Sequence, residues 1–330
     1  MDETGKYGER NRKRIGTARF SLGSAVALAS TKFVIGILSG SLGVLSSAFD
    51  SVADIFMSAV NLLSIRKSMD PADRTHPYGH GKVETLATVF QALVIAGTGL
   101  WVVVEGIRRL VEKRVPESAD IGIAVMAVAL VASWFVSRRI RKAGEETGST
   151  ALVADSLHFA TDVYTNAGIL ASLVVFRYTG WAWLDPGAAL LVGAYILFAA
   201  GKLFVSAVHD LMDRGLPEET VEQVRGIING HRPMVVDFHD LRTRRAGSEK
   251  HVDFHVVVCR EHKLADAHRV ADHLEKEVRL VLGNTHVVTH VDPCNKECPG
   301  IDHCELVLSQ IRDLKDPAEE IPPSSSPQQA

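Results

Sequence analysis

Six runs of mostly apolar residues occupy about the first two thirds of the chain, and their length decides the solvent in which they fold. A helix needs about 20 such residues to cross a hydrocarbon core of about 30 Å. Ile15 to Leu38 and Ser41 to Ile65 flank a Ser39-Gly40 joint; Thr85 to Val111, Ile121 to Val136, Ala151 to Phe176 and Trp183 to Val208 follow. The fourth reaches spanning length only with its polar ends. Buried helices of a soluble protein are the alternative, but the basic residues near the span ends are distributed as topology signals are. One side carries Lys6, Arg10, Arg12, Lys13 and Arg14, then Arg66, Lys67, Arg74 and Lys82, then Arg138, Arg139, Arg141 and Lys142. The other carries Arg108, Arg109, Lys113, Arg114 and Arg177. Both termini are therefore expected in the cytoplasm, with a cytosolic segment over 1–14 and a six-helix transmembrane domain over 15–210. The charged N-terminus lacks the short apolar core of a signal peptide.

Ionisable residues interrupt two of the spans. Asp50 and Asp54 lie in SSAFDSVADIF, and Asp155, His158 and Asp162 in VADSLHFATDVY. Such groups are costly at membrane depth, so they point to an ion or proton pathway, with an internal charge network as the alternative. Asp50 and Asp54 are four apart, as are His158 and Asp162, so each pair shares a helix face. If the faces meet, three carboxylates and one imidazole converge in a set suited to tetrahedral binding of a divalent ion. One imidazole among carboxylates favours zinc, ferrous iron, cobalt or cadmium over magnesium or calcium. Three carboxylates against a dication also favour protonation once the metal leaves, so metal and proton occupancy should exclude one another. Asp155 belongs either beside this set or near the cytoplasmic end as a helix charge.

Between the second and third spans, MDPADRTHPYGHGK places Asp73, His76 and His80 in a loop rich in Pro and Gly. On spacing alone this is as well read as a polar surface loop. GHGK lacks the upstream Gly and the following Ser/Thr of a phosphate loop, so no nucleotide is expected. The spans also lack H-E-x-x-H, which argues against an intramembrane metalloprotease and for a non-enzyme.

Beyond residue 210 the chain changes character. The overall charge of −3 is a cancellation: 21 Lys+Arg against 18 Asp+Glu before that point, 15 against 21 after it. The overall balance of 36 Lys+Arg against 39 Asp+Glu lacks the basic excess of a nucleic-acid binder. Ten of the 14 His lie in the second part. Pro217 to Ile228 reads as a helix start, Val235 to Arg245 and Lys250 to Cys259 as strands around Ala246-Gly247-Ser248, Leu264 to Leu282 as a helix and Thr285 to Val291 as a strand. This αββαβ order over 211–293 predicts a cytosolic α+β domain, ferredoxin-like or metallochaperone-like, with its helices on one face. His251, Asp253 and His255 alternate along one strand and share a face. With His239, His268, His290 and Asp292 they form either one or two metal sites or a solvated polar face. Cys259 is expected reduced in a strand. Cys294, Cys298, His303 and Cys304 have a spacing compatible with thiolate binding without matching a zinc finger. The stretch 294–330 reads as a Cys-containing tail, disordered at its Pro/Ser/Gln-rich end.

These features together resemble the cation diffusion facilitator family. The resemblance runs from about Asn11 to Pro293 and rests on PADRTHPYGHGK, ADSLHFATD, LMDRGLP, HDLRTRRAG and HVDPC, which are similar to the bacterial zinc and ferrous-iron efflux branch. It implies a homodimeric metal/proton antiporter in the bacterial inner membrane, working by alternating access. Its implied transport ligands are Asp50, Asp54, His158 and Asp162. It also implies a loop site at Asp73, His76 and His80, and a binuclear site across the dimer at His239, His255, His268, His290 and Asp292. Lys82 and Asp213 match a charge pair that locks the dimer, whereas His251, Asp253 and the Cys298 to Cys304 stretch match nothing. Asp at 50 with His at 158 resembles members handling zinc, iron and sometimes cadmium, and a different residue at 158 marks manganese types. The expected role is Zn2+ export, with Fe2+, Cd2+ or Mn2+ as other substrates. A membrane metal sensor that transports nothing is the rival reading.

Overall fold

The computed structural model describes residues 3–39, 42–112, 120–179, 183–295, 301–314 and 317. The chain divides into two units, Met1–Met212 and Asp213–Ala330.

In the first unit each apolar run becomes one long helix: α1 (Glu3–Ser39), α2 (Leu42–Ser68), α3 (Lys82–Glu112), α4 (Asp120–Thr147), α5 (Thr150–Thr179) and α6 (Leu184–Leu211). The shortest has 27 residues, which at 1.5 Å per residue is about 40 Å and exceeds a bilayer core. α1 begins at Glu3 and runs unbroken through residue 15. Large apolar side chains lie on the surface of this unit as well as in its core, and polar ones are among those buried. Ile37, Phe56, Leu63, Leu93, Leu100 and Phe198 face outward, whereas Ser21, Ser58, Asn61, Gln91 and Asp155 are buried. Such a surface suits lipid. Three described stretches, Gly8–Leu38, Lys82–Glu112 and Pro186–Leu211, are long and apolar enough by themselves to cross a membrane. Polar side chains line the inner faces of α2 and α5, among them Ser58 and Asn61 on α2 and Asp155, Ser156 and Thr161 on α5.

α1, α2, α4 and α5 pack around a common core that includes Ala18, Leu62, Ile140, Leu152 and Phe159. α3 lies along α6, and glycines bring the two backbones together. A Cβ on Gly193 would stand 2.7 Å from Val103 Cγ2 and 3.1 Å from the Gly99 carbonyl. Small residues at such seams let helices associate where water supplies no driving force. Arg14, one of the basic residues counted above, is buried against Glu84, whose other oxygen takes the Ser149 hydroxyl and the Ala151 amide at 3.3 Å. Arg14 also donates to Ser68 Oγ at 3.2 Å. This network ties α1, α2, α3 and the start of α5, and it satisfies a charge that would otherwise be costly to bury.

The second unit contains α7 (Glu218–Gly230), β1 (Asp237–Ala246), β2 (Glu249–Val258), α8 (Leu264–Leu282), β3 (Thr285–Pro293) and α9 (Ile301–Arg312). Pro217 and the acidic Glu218 and Glu219 start α7 as its dipole prefers, and Gly283, at φ 72, ends α8. β1 and β2 form an antiparallel hairpin; β3 returns through α8 to pair in parallel with β2, giving the order β1-β2-β3. Val252, Phe254, Val256 and Val258 project from β2 onto Val224 and Ile228 of α7 and Val270, Leu274 and Val278 of α8. The expected αββαβ order and one-sided helical layer are therefore present. Within the Cys-containing stretch that follows the sheet, α9 adds a helix the sequence reading did not place, because Val307 and Ile311, four apart, enter the same core. Residues 321–330 lie outside the described residues.

Candidate metal centres

Asp54 on α2 and His158 on α5 meet in the interior of the first unit, His158 Nε2 lying 2.9 Å from Asp54 Oδ1. Their side chains are 18% and 9% exposed, so the contact is largely screened from surroundings. Asp162, one turn further along α5, acts on the same imidazole through space, as does Asp155. Among the described residues Asp162 is not gathered with Asp54 and His158 into a three-donor group. Asp50 stands on α2 one turn before Asp54, but its side chain lies outside the described residues. Asp155 is 1% exposed beside Ser21, Ser58 and Asn61. It therefore belongs to the interior and is not a charge at the helix end. Lys32 of α1 donates to Ser51 Oγ at 2.8 Å, a cation at this level that spacing arguments missed because it stands alone in its run.

The loop between α2 and α3 gathers all three predicted residues. Asp73 Oδ1 accepts from the Thr75 amide and hydroxyl, both at 2.8 Å, and from the His76 amide at 2.6 Å. The Thr75 hydroxyl, followed by the His76 amide, holds this carboxyl well below the usual carboxylate range, so it stays ionised. His76 Nδ1 and His80 Nε2 each lie 3.4 Å from Asp73, and the two rings are 4.6 Å apart. Gly79 at φ 79 provides the turn that brings His80 back.

Sheet register assembles a second constellation. His239 pairs with His255 across β1 and β2, and His255 with His290 across β2 and β3. In-register side chains on one face stand about 5 Å apart, and the ring separations are 5.0 and 4.6 Å. Asp292, two residues after His290, reaches His255 Nδ1 at 3.0 Å and both His239 and His290 at 3.3 Å. The His255 hydrogen bond, with the neighbouring imidazoles, holds the Asp292 carboxyl below its ordinary range. Asp240 joins His239 and His255 because the β1 register shifts between His239 and Arg242, with Asp240 at φ 51. No alternation pattern signals that irregularity. His268 is exposed on α8, outside these groups among the described residues. His251 and Asp253 share the His255 face as expected but are not gathered with it. His251 is buried beside His286, and burial, with Arg244 adding to it, pushes its imidazole down to about 4.

Lys82 donates to the Leu211 carbonyl at 3.3 Å, and Asp213 accepts from Arg244 at 3.4 Å. Cys259 and Cys294 are free thiols, the latter buried. Cys298 and the side chains of His303 and Cys304 lie outside the described residues.

Residues 18–212 match the family model described as the cation efflux transmembrane domain, and residues 216–294 that of the cation efflux protein, cytoplasmic domain. The chain is 35% identical over 280 residues to the cation-efflux pump FieF of Shewanella oneidensis, covering 85% of this chain and 94% of that one. To FieF of Shigella flexneri it is 36% identical over 276 residues, covering 82% and 91%. A solved CzrB chain in its zinc form is 34% identical, with a TM-score of 0.25, and matches 26% of this chain and 98% of that one.

Proposed function

The chain belongs to the cation efflux, or cation diffusion facilitator, family of membrane transporters, and we propose that it exports Zn2+ from the cytoplasm in exchange for protons. Fe2+ and Cd2+ are further substrates in this reading. The observation that carries it is the Asp54–His158 contact, a carboxylate and an imidazole from two helices meeting inside a lipid-facing bundle. Neutral imidazole and ionised carboxylate are the forms that bind a dication; protonation of either weakens the set.

The proposed transport ligands are Asp50, Asp54, His158 and Asp162. An ion sheds water to enter them from the cytoplasmic side, the helices rock, and protons arriving from outside titrate the ligands and release it. Asp155 extends the polar interior along α5. Asp73, His76 and His80 form a separate loop site. His239, His255, His290 and Asp292 form a cytosolic site completed in a homodimer, where His268 enters, and the Lys82/Asp213 pair supports that dimer. Both termini face the cytoplasm of a bacterial inner membrane. The cytosolic metal acts as a regulator distinct from the transported ion, and no catalytic residue or nucleotide takes part.

Proteoliposome uptake tests the site. Wild-type protein should take up Zn2+, Fe2+ and Cd2+ in competition with one another, and Asp54→Ala should lose all three. Undiminished zinc flux in Asp54→Ala would remove Asp54 from the pathway.

A further inference from the structure

A third constellation lies elsewhere in the second unit, shares no residue with the sheet-face row, and corresponds to no site anticipated from the sequence. His231, which ends α7, faces His273 and Glu277 of α8, with the two rings 5.0 Å apart. His231 Nε2 is 3.2 Å and His273 Nε2 4.0 Å from the same Glu277 Oε2. The side chains are 14%, 9% and 27% exposed, so the group is sheltered yet open on its Glu277 side.

The hydrogen-bond arithmetic at His231 is restrictive. Its Nδ1 lies 2.8 Å from the Ile227 carbonyl, which only accepts, so Nδ1 carries the hydrogen. In the neutral ring Nε2 is then a bare lone pair, and it points at a carboxylate oxygen, which is also an acceptor. Two acceptors at that separation need a cation between them, either a proton or a metal ion. A backbone carbonyl fixing Nδ1–H while Nε2 faces outward is the arrangement that orients histidine ligands for metals. Ligands about 2.0–2.1 Å from a tetrahedral ion stand about 3.3 Å apart, close to the His231–Glu277 separation. The second imidazole needs only a small closure to join.

We propose that His231, His273 and Glu277 bind a zinc-class divalent cation, with water as the fourth ligand. Two imidazoles and one carboxylate are a zinc-type donor set with one open position. The ion displaces any proton held between His231 and Glu277 and joins the end of α7 to α8. Because α7 is the first element after Met212, this site fixes the start of the second unit. It does not depend on the transport reading, since a protein that moved no metal could still bind one here.

The test uses the full-length protein in detergent, stripped with chelator and re-equilibrated with zinc at buffered free concentrations. Elemental analysis should show His231→Gln and Glu277→Gln each binding about one zinc fewer per chain than wild type, with metal-free circular dichroism unchanged. Equal zinc content across the titration would overturn the site and leave a proton-bridged ion pair. Anomalous scattering from zinc-loaded crystals of wild-type protein decides independently of how the variants fold. A peak among the three side chains is expected; zinc present at other positions and absent here would also overturn the proposal.

Discussion

His251 and His255 occupy the same face of β2, four residues apart, yet their surroundings give them opposite chemistry. His255 stands in an open row with Asp292, whereas His251 is 5% exposed and depressed to about 4 by burial and by Arg244. A depressed imidazole is neutral when folded, so the unfolded chain takes up a proton first as pH falls. The second unit should therefore lose stability from pH 6.5, the ordinary imidazole value, down to about 4, by up to about 3 kcal/mol for this one group. Pulse proteolysis of the detergent-solubilised chain across that range should show the loss in wild type and a shallower one in His251→Gln. Parallel profiles would mean that His251 contributes no pH dependence. The sharing of a face was legible from alternation. The burial of one histidine and the half-burial of the other were not, because they depend on the neighbouring strand, where His286 stands beside His251.

Hydrophobic runs, turn residues and helix starts located every long helix of the first unit and the αββαβ order of the second. Packing partners were less visible. The α3–α6 seam depends on glycines spread over two helices, and a single sequence does not pair Gly99 with Gly193. Gly193→Leu should destabilise the solubilised protein by about 1–3 kcal/mol through overpacking against Val103. Gly201→Ala, where nothing lies within 4 Å of an added Cβ, should leave thermal unfolding close to wild type. Equal behaviour of the two would mean that the seam is not tight. The bulge in β1 and the docking of α9 were also missed: the first breaks a register the alternation assumes, and the second was masked by a Cys- and Pro-rich stretch. At Asp54 and His158, i,i+4 spacing identified the faces but only the fold brings those faces together.

At the scale of the molecule, the described residues hold three clusters with metal-ligating side-chain types beside one buried Asp–His contact between α2 and α5, and a different task is proposed for each. If the sheet-face row regulates rather than transports, His290→Ala should raise the zinc concentration for half-maximal uptake by about 5-fold or more. Its rate at saturating zinc should stay near that of wild type; complete loss of transport in a folded variant would make the row part of the pathway. The central claim is that a proton gradient drives a dication through the Asp54–His158 site. It is tested most directly by trapping a zinc indicator and a pH indicator together inside proteoliposomes with an acidic lumen. Wild type should accumulate zinc above its external concentration while the lumen alkalinises, a protonophore should abolish the accumulation, and Asp54→Ala should show neither change. Zinc accumulation that ignores the pH gradient, or that persists in Asp54→Ala, would contradict the account.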